Sequence, residues 1–428
     1  MTAVATPAPA VAAPSLQTAK HWGIPITLGV IGILSLVFFG FGTEGGTETT
    51  FAFSRPGDFF QIPIWHVPSQ VTAITLSVIA LGLAGYSAWC VQTARKFPWW
   101  AAVIYGTAVL FALLTWAGAG KTDTSINVTG LLTAAVVLSV PLVFGSLSGL
   151  ICERSGVINI AIEGQLLAGA FTAAVVASAV GNAYVGLIAA PIAGALVGAI
   201  LSLFAVKYWV NQIVVGVVLN VLVVGITNFL FSTLLRENTA LNQNMPLAKL
   251  PIPLLSKIPV VGPTLFNATI LVYIMYVTVA VLAVMLFRSR WGLRVRAVGE
   301  HPKAADTVGI KVNRTRVRNT ILGGAVAGLG GAYFTVAAGL AFGKEMTSGA
   351  GFIALAAMIL GRWRPVGALA AALLFGFANS LKDQLGIIGS SIPSQFLAML
   401  PYLATILAVA GFVGHARPPA SEGIPYKK

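Results

Sequence analysis

The chain has 428 residues, 57% of them hydrophobic and only 9% charged, with a mean hydropathy of +0.89. Soluble domains carry about 25% charged residues, so this composition excludes a soluble globular protein and marks an integral membrane protein. The net charge of +14 resides in short connections between apolar runs, and without a soluble fold to carry a basic face nucleic acid is excluded as a partner.

Residues 1–20 are rich in Ala, Pro and Thr with one charge at Lys20. They read as a disordered cytoplasmic tail and lack the n-region and cleavage site of a signal peptide. A membrane helix needs about 20 apolar residues; segments 24–42, 70–92, 98–118, 128–150, 184–206, 209–234, 267–287, 319–341 and 396–414 qualify. Three more segments are weaker: 157–180 carries Asn159 and Glu163 near its start, 349–361 is short, and 364–381 is marginal. With a cytoplasmic N-terminus, Arg95, Lys96, Arg154, Lys207, Arg362, Arg364, Lys427 and Lys428 all fall inside, as the positive-inside rule expects. That assignment requires an even number of crossings. The expected fold is an all-α polytopic transmembrane helix bundle of about 10–12 membrane segments, some short or re-entrant. A membrane domain over 21–415 is then followed by a cytoplasmic tail, 416–428. Two Pro-rich external segments, 43–69 and 235–266, are either stiff connectors or an outer docking surface. Gly145/Gly149, Gly194/Gly198 and Gly324/Gly328 place small residues four apart, which lets helix backbones approach closely. The GGAVAGLGG run at 323–331 lacks the Lys-Ser/Thr of a phosphate loop and reads as packing.

Polar residues interrupt this apolar pattern at two places. In CERSGVINIAIEGQLLAGAF, 152–171, Asn159 and Glu163 are spaced to share a helical face. A carboxylate inside an apolar segment faces protein or a water-filled cavity. It marks either a translocation path or broken helix, or an internal hydrogen-bond clamp that shapes a half-helix. In NQIVVGVVLN, 211–220, Asn211, Gln212 and Asn220, with Asn228 beyond, could bind a small uncharged polar solute or join helices, because amides both donate and accept. Asn379 is a weaker candidate of the same kind, and Phe334, Phe342 and Phe352 either stack on a planar solute or pack.

Residues 288–318 hold nine Lys/Arg against Glu300 and Asp306, net +7. Pro302 suits the first position of a helix, Lys303 to Val308 allow one or two turns, and Gly309 suits termination. A short helix here, with an Ala-rich side and basic flanks, fits a cleft on a partner and lipid headgroups beside it. The alternation in GLRVRAVG favours contact over disorder. No catalytic triad, Walker motif, nucleotide fingerprint or metal cluster is legible, and Cys90, Cys152 and the four His residues show no ligand or disulfide spacing. The chain itself is therefore expected to carry no enzymatic activity and no cofactor.

ERSGVINIAIEGQLLAGAF at 153–171 and GLRVRAVGEHPKAADTVGIKVNRTR at 292–316 together resemble the inner-membrane permeases of ABC transporters. The resemblance is to the ribose and branched-chain amino acid permease group, in its simple-sugar/nucleoside branch, and covers about residues 70–414. It implies a coupling surface for an ATPase at Glu300, Pro302, Ala304, Ala305 and Gly309. It places Asn159, Glu163, Gln212 and Asn220 near the solute path or its supporting bends. It also implies three partners: an ATPase subunit that binds ATP, a second homologous permease, and an extracytoplasmic substrate-binding lipoprotein, all at the bacterial cytoplasmic membrane. The solute would be a nucleoside or related simple sugar. An ion-coupled secondary transporter using Glu163, or a non-transporting structural subunit, are the competing readings.

Overall fold

The computed structural model describes residues 22–121, 125–389 and 417–427, with isolated residues between 393 and 402. The expected tail 1–20 and most of the expected last span, 396–414, lie outside the described residues. Ten helices among the described residues are long and apolar enough to cross a membrane, and an eleventh apolar helix is short.

The helices follow in chain order. The first three are α1 (Gly23–Leu34, prolonged by a wider π-type turn to Gly40), α2 (Ser69–Gln92) and α3 (Trp99–Gly118). Then come α4 (Val128–Glu153), α5 (Ile162–Val180), α6 (Ala183–Ser202), α7 (Gln212–Leu230), the short α8 (Val261–Leu265) and α9 (Ile270–Arg288). The last five are α10 (Arg290–Glu300), α11 (Pro302–Thr307), α12 (Val312–Gly331), α13 (Ala350–Leu360) and α14 (Pro365–Ile388). Both Pro-rich segments contain short strands. In the first, β1 (Glu48–Ala52) lies between β2 (Trp65–Pro68) and β3 (Ile126–Asn127), with Phe51 opposite Ile126 in parallel register. In the second, β4 (Lys249–Pro251) pairs antiparallel with β5 (Asn267–Thr269).

The described chain forms two compact units. Residues 22–48 and 68–120 are one of them. Its helices meet through small residues, Ala80, Ala84 and Ala108, around Leu28 and Tyr105. Three of its buried polar groups are paired: Ser35 and Ser77 hydroxyls lie 2.8 Å apart, and Tyr105 Oη donates to the Leu28 carbonyl at 2.6 Å. Such pairing is what an apolar environment demands.

The second unit comprises 49–67 and the described residues from 121 onward. Its centre is α4, buried along nearly its whole length and surrounded by α5, α12, α13 and α14. The glycine pairs expected from spacing do meet. Gly194 on α6 faces Gly324 and Gly328 on α12, and a Cβ at 194 would stand 2.6 Å from the Gly328 Cα. Gly145 and Gly149 open α4 to α13, where added Cβ atoms would lie 2.7 Å from the Ala354 Cβ and 2.9 Å from the Met358 sulfur. In a membrane, where lipid competes for apolar contact, this close backbone approach is what holds helices together.

Three boundaries differ from expectation. The 157–180 segment becomes helical only at Ile162, so Asn159 lies in a buried turn and does not share a helical face with Glu163. The span expected at 319–341 starts seven residues earlier, at Val312, because Arg314, Arg316 and Arg318 occupy helical positions that hydropathy cannot register. The helical part of the basic segment begins before the expected Lys303: GLRVRAVG lies in α10, whose Gly292, Val295, Val298 and Gly299 face inward at helical spacing.

Candidate functional site

The polar residues of 148–165 converge on one buried turn. After α4 ends at Glu153, the chain runs non-helically through 154–161 before α5 begins. An unpaired backbone group in a membrane interior costs several kcal/mol, so this turn needs partners, and side chains from three helices supply them. Gln212 Oε1 accepts from the Ile158 N–H at 2.7 Å. Asn220 Nδ2 donates to the Ile160 carbonyl at 2.9 Å, while its Oδ1 accepts from the Gly164 N–H at 2.8 Å. Asn159, fully buried, donates to Ser148 Oγ at 3.1 Å and to Gln165 Oε1 at 3.0 Å. Thus Asn159, Gln212 and Asn220 all brace the bend, and Gln165 and Ser148, not singled out from sequence, complete the network.

Glu163 stands in the first turn of α5 but serves another helix. One carboxylate oxygen accepts from Thr347 Oγ1 at 2.6 Å and from the Gly349 N–H at 2.9 Å; the other accepts from the Gly351 N–H at 2.6 Å. These are the orphan N–H groups at the start of α13. Gly349 takes a left-handed conformation (φ 82°) and supplies no side-chain cap. Glu163 replaces it from across the bundle, its negative charge set at the positive end of the helix dipole. Gly351 permits the approach: a Cβ there would lie 2.6 Å from the Glu163 Cα. Of the two readings of Glu163, the geometry is that of the clamp shaping a half-helix.

The basic segment forms a two-helix elbow, α10 and α11. Pro302 occupies the first helical position of α11, and Gly309, at φ +85°, terminates the turn that follows it. Ala305 is buried against Val298 and Val312, whereas Ala304 points outward. The two alanines therefore have different roles: one keys α11 into α10 and α12, the other is presented. Val308, 76% exposed, extends the presented surface.

Glu153, Arg154, Ser155 and Gly156 join the elbow to the half-helix. Glu153 Oε2 accepts from Trp363 Nε1 at 2.6 Å, and the Arg154 guanidinium donates to the Trp363 carbonyl at 3.0 and 3.1 Å. Trp363 and its neighbour Arg362 both have left-handed φ values, 51° and 55°. Their backbone is uncommon for such residues and is held by this pairing. Arg154 also lies 4.0 Å from Glu300 at the end of α10. Burial lowers the Arg154 pKa, with Glu300 opposing the shift.

Sequence reasoning missed Arg316, which looked like one more loop cation. It is 1% exposed and donates to the Ile424 carbonyl at 2.7 Å and the Ser421 carbonyl at 3.4 Å. Gly156, at φ +89°, makes room for it: a Cβ there would stand 2.6 Å from the guanidinium. Residues 417–427 thereby strap the elbow. Ser421 N–H donates to the Gly299 carbonyl at 2.9 Å, its hydroxyl to the Glu300 carbonyl at 3.1 Å, and Lys427 sits 5.0 Å over the Trp209 ring. Burial raises the Glu422 pKa beside Glu153. The Gly in the ERSG turn was the one available signal, since glycine after a polar turn often marks backbone or side-chain approach.

The remaining candidates lie apart. Asn379 bonds only to the Phe375 carbonyl of its own helix, at 3.2 Å, and Asn228 donates to Glu345 at 3.2 Å. Phe342 is buried edge-on against Phe171, whereas Phe352 is 52% exposed. Among the described residues no group of His, Cys, Asp and Glu is placed to hold a metal.

The family model described as the permease component of branched-chain amino acid transport systems matches residues 131–410. The guanosine ABC transporter permease protein NupQ of Bacillus subtilis is 40% identical over 308 residues, which covers 69% of this chain and 95% of the relative. The nucleoside ABC transporter permease protein NupC of Lactococcus lactis subsp. cremoris is 38% identical over 302 residues, covering 68% of this chain and 95% of the relative. A second guanosine permease of B. subtilis, NupP, is 30% identical over 248 residues, covering 55% and 69% respectively. No solved structure matches.

Proposed function

Because the chain belongs to the family of branched-chain amino acid transport system permease components, we propose that it is one of two different permeases in an ATP-driven importer of nucleosides. It is the transmembrane permease component of an ABC importer; the solute, the partners and the orientation are the proposal. The names of NupQ and NupC support a nucleoside. Similarity to both NupQ and the weaker-matching NupP of one organism supports a heteromeric pair, with this chain as the NupQ-like member.

The observation that carries the coupling reading is the division between Ala304 and Ala305 on α11, one presented and one keyed into the bundle. A small exposed side chain on a rigidly seated short helix suits a cleft in a soluble ATPase. The basic flanks support a cytoplasmic position for α10 and α11, and with it cytoplasmic termini. ATP-driven closure of two such ATPase subunits would displace α11. The displacement reaches α10 through the apolar contact of Ala305 with Val298, and the 154–161 turn through Arg154. From there Gln212, Asn220 and Glu163 connect it to α5, α7 and α13. Alternating access needs such linked rigid elements and no bond-breaking chemistry. Asn159, Glu163, Gln212 and Asn220 act as supports of the bends beside the path, since their partners are within the bundle. An extracytoplasmic lipoprotein would deliver solute at the opposite face.

The test is uptake into proteoliposomes holding both permeases and the ATPase, with the binding protein outside. ATP-dependent accumulation of guanosine, competed by other nucleosides and not by ribose or glucose, is expected. Accumulation of the sugar alone would transfer the solute assignment to sugars, and accumulation without ATP would reject the coupling scheme.

A further inference from the structure

Two cavities lie along successive stretches of α12. The first is an apolar groove of about 330 Å3 between α9 and α12, lined by Val277, Val281, Met285, Leu322 and Val326, with Trp291 of α10 at one end. The second is a cleft of about 540 Å3 where α10 faces the start of α12. Five cations line it: Arg290, Arg294, Lys311, Arg314 and Arg318. No carboxylate lines it, and among the described residues none of the five is in an ion pair.

Helical spacing makes the two cavities one surface. Arg314, Arg318, Leu322 and Val326 are successive i, i+4 positions on α12, hence one stripe. At 1.5 Å per residue the cationic and apolar ends of the stripe, Arg318 and Val326, are about 12 Å apart along the axis. On the facing side Met285 closes α9, and Arg290 and Arg294 follow one turn apart on α10. The surface is apolar in the span and strongly basic where the span ends. An acidic protein face would satisfy the cleft and leave the groove open; an apolar helix of another permease would fill the groove and leave the cations unpaired. One ligand class matches both halves in this order, a lipid with an anionic phosphate headgroup.

We propose that this surface is a binding site for an anionic glycerophospholipid, with the phosphate among Arg290, Arg294, Arg314 and Arg318 and one acyl chain along Leu322 and Val326. Basic pockets between helices at the membrane boundary recognise such headgroups. The leaflet, though not the site, rests on the cytoplasmic orientation proposed above. The lipid would fix α10, and hence the elbow, to the membrane surface.

Native mass spectrometry of the full chain in detergent tests this, with phosphatidylglycerol and phosphatidylcholine as probes. Wild type is expected to retain phosphatidylglycerol in preference to phosphatidylcholine, and more weakly at high salt. The double change Arg314→Ala with Arg318→Ala should weaken phosphatidylglycerol retention roughly 30-fold, about fivefold per cation, and leave phosphatidylcholine unchanged. Arg314→Lys with Arg318→Lys keeps the charge and should keep retention, which separates lost binding from lost folding. Leu322→Trp, which fills the groove, should weaken both lipids. Equal retention of the two lipids by wild type would overturn the site. So would stoichiometric displacement of phosphatidylglycerol by the ATPase, or a Leu322→Trp variant that keeps its lipid and loses only the second permease. Orientation is read separately by an impermeant thiol reagent on Lys303→Cys. Labelling in intact cells would reject the proposed orientation and leave the lipid site standing.

Discussion

Glu163→Gln is the substitution that most sharply separates a structural clamp from a transport carboxylate. The native side chain accepts three hydrogen bonds, from Thr347 Oγ1, the Gly349 N–H and the Gly351 N–H. Hydrogen bonds to a charged acceptor contribute about 1.5–3 kcal/mol each, and neutral ones about 1 kcal/mol. Glutamine keeps one acceptor oxygen for Thr347 and Gly349, now as neutral bonds. Its amide NH2 faces the Gly351 N–H, a donor against a buried donor held at 2.6 Å in the native contact. Losing that bond and weakening two others totals about 3–5 kcal/mol. The loss should fall on α13, whose first turn has no other cap. Thermal unfolding of the purified protein should shift down by several degrees, and amide exchange over 347–352 should rise well above the rest of the unit. Thr347→Ala, which removes one donor to the carboxylate and orphans none, should cost about 1.5–3 kcal/mol. A Glu163→Gln protein with unchanged unfolding and unchanged exchange, yet with an altered pH dependence of uptake, would refute the clamp and restore an ion-coupling role to Glu163.

Other substitutions follow from the same geometry. Ala304→Glu should leave thermal stability within about 0.5 kcal/mol and abolish ATPase association in pull-down. Ala305→Glu should instead destabilise the chain by about 3 kcal/mol or more, since it buries a carboxylate against Val298 and Val312. Gly328→Val should cost about 3 kcal/mol by thermal unfolding, because its Cβ would meet the Gly194 Cα at 2.9 Å, whereas Gly82→Ala, with nothing within 4 Å, should be neutral or slightly stabilising. The pKa of Glu422 is raised by burial, so the folded strap binds a proton that the unfolded chain releases first. Its stability is therefore full in acid and falls as pH rises above the ordinary carboxyl range. Amide exchange over 417–427 should quicken with pH beyond the intrinsic trend, and Glu422→Gln should remove that excess.

Hydropathy and charge made most helices legible, because a membrane span is a long apolar run and its side is marked by Lys and Arg. Glycine pairs were legible as sites of close approach; that Gly194 and Gly198 pack against Gly324 and Gly328 is what the structure adds. What failed was the reading of polar residues by local periodicity. Asn159 and Glu163 are four apart, but a turn separates them, and each answers a different neighbour: the Ser148 and Gln165 side chains for one, the backbone at the start of α13 for the other. Arg316 was hidden for the complementary reason. In sequence it is one of nine cations in a basic stretch, and only the return of 417–427 makes it a buried anchor. Local patterns report solvent and lipid; they do not report which distant backbone groups lack partners.

The energies of the linkage say where the proposed cycle bends. Beside the packing of Gly299 on the Arg154 carbonyl, the elbow's polar contact with the 154–161 turn is the Arg154–Glu300 pair, 4.0 Å apart, with the Glu300 side chain 54% exposed. An exposed pair of that kind contributes about 0–1 kcal/mol, little enough for a docking ATPase to break and remake. The half-helix is attached to α5 by three buried hydrogen bonds to one carboxylate, none longer than 2.9 Å, and separating them costs several times as much. Force applied at α11 should therefore open the Arg154–Glu300 joint before it disturbs the Glu163 cap, and α5 and α13 should travel together. Thiols placed across the two contacts can distinguish this order. A cross-link across Glu163→Cys and Thr347→Cys, whose side chains meet in the native contact, should leave ATP-driven uptake intact, whereas one across Arg154→Cys and Glu300→Cys should stop it. Arrest by the first cross-link alone would place the hinge at the half-helix and reverse the argument.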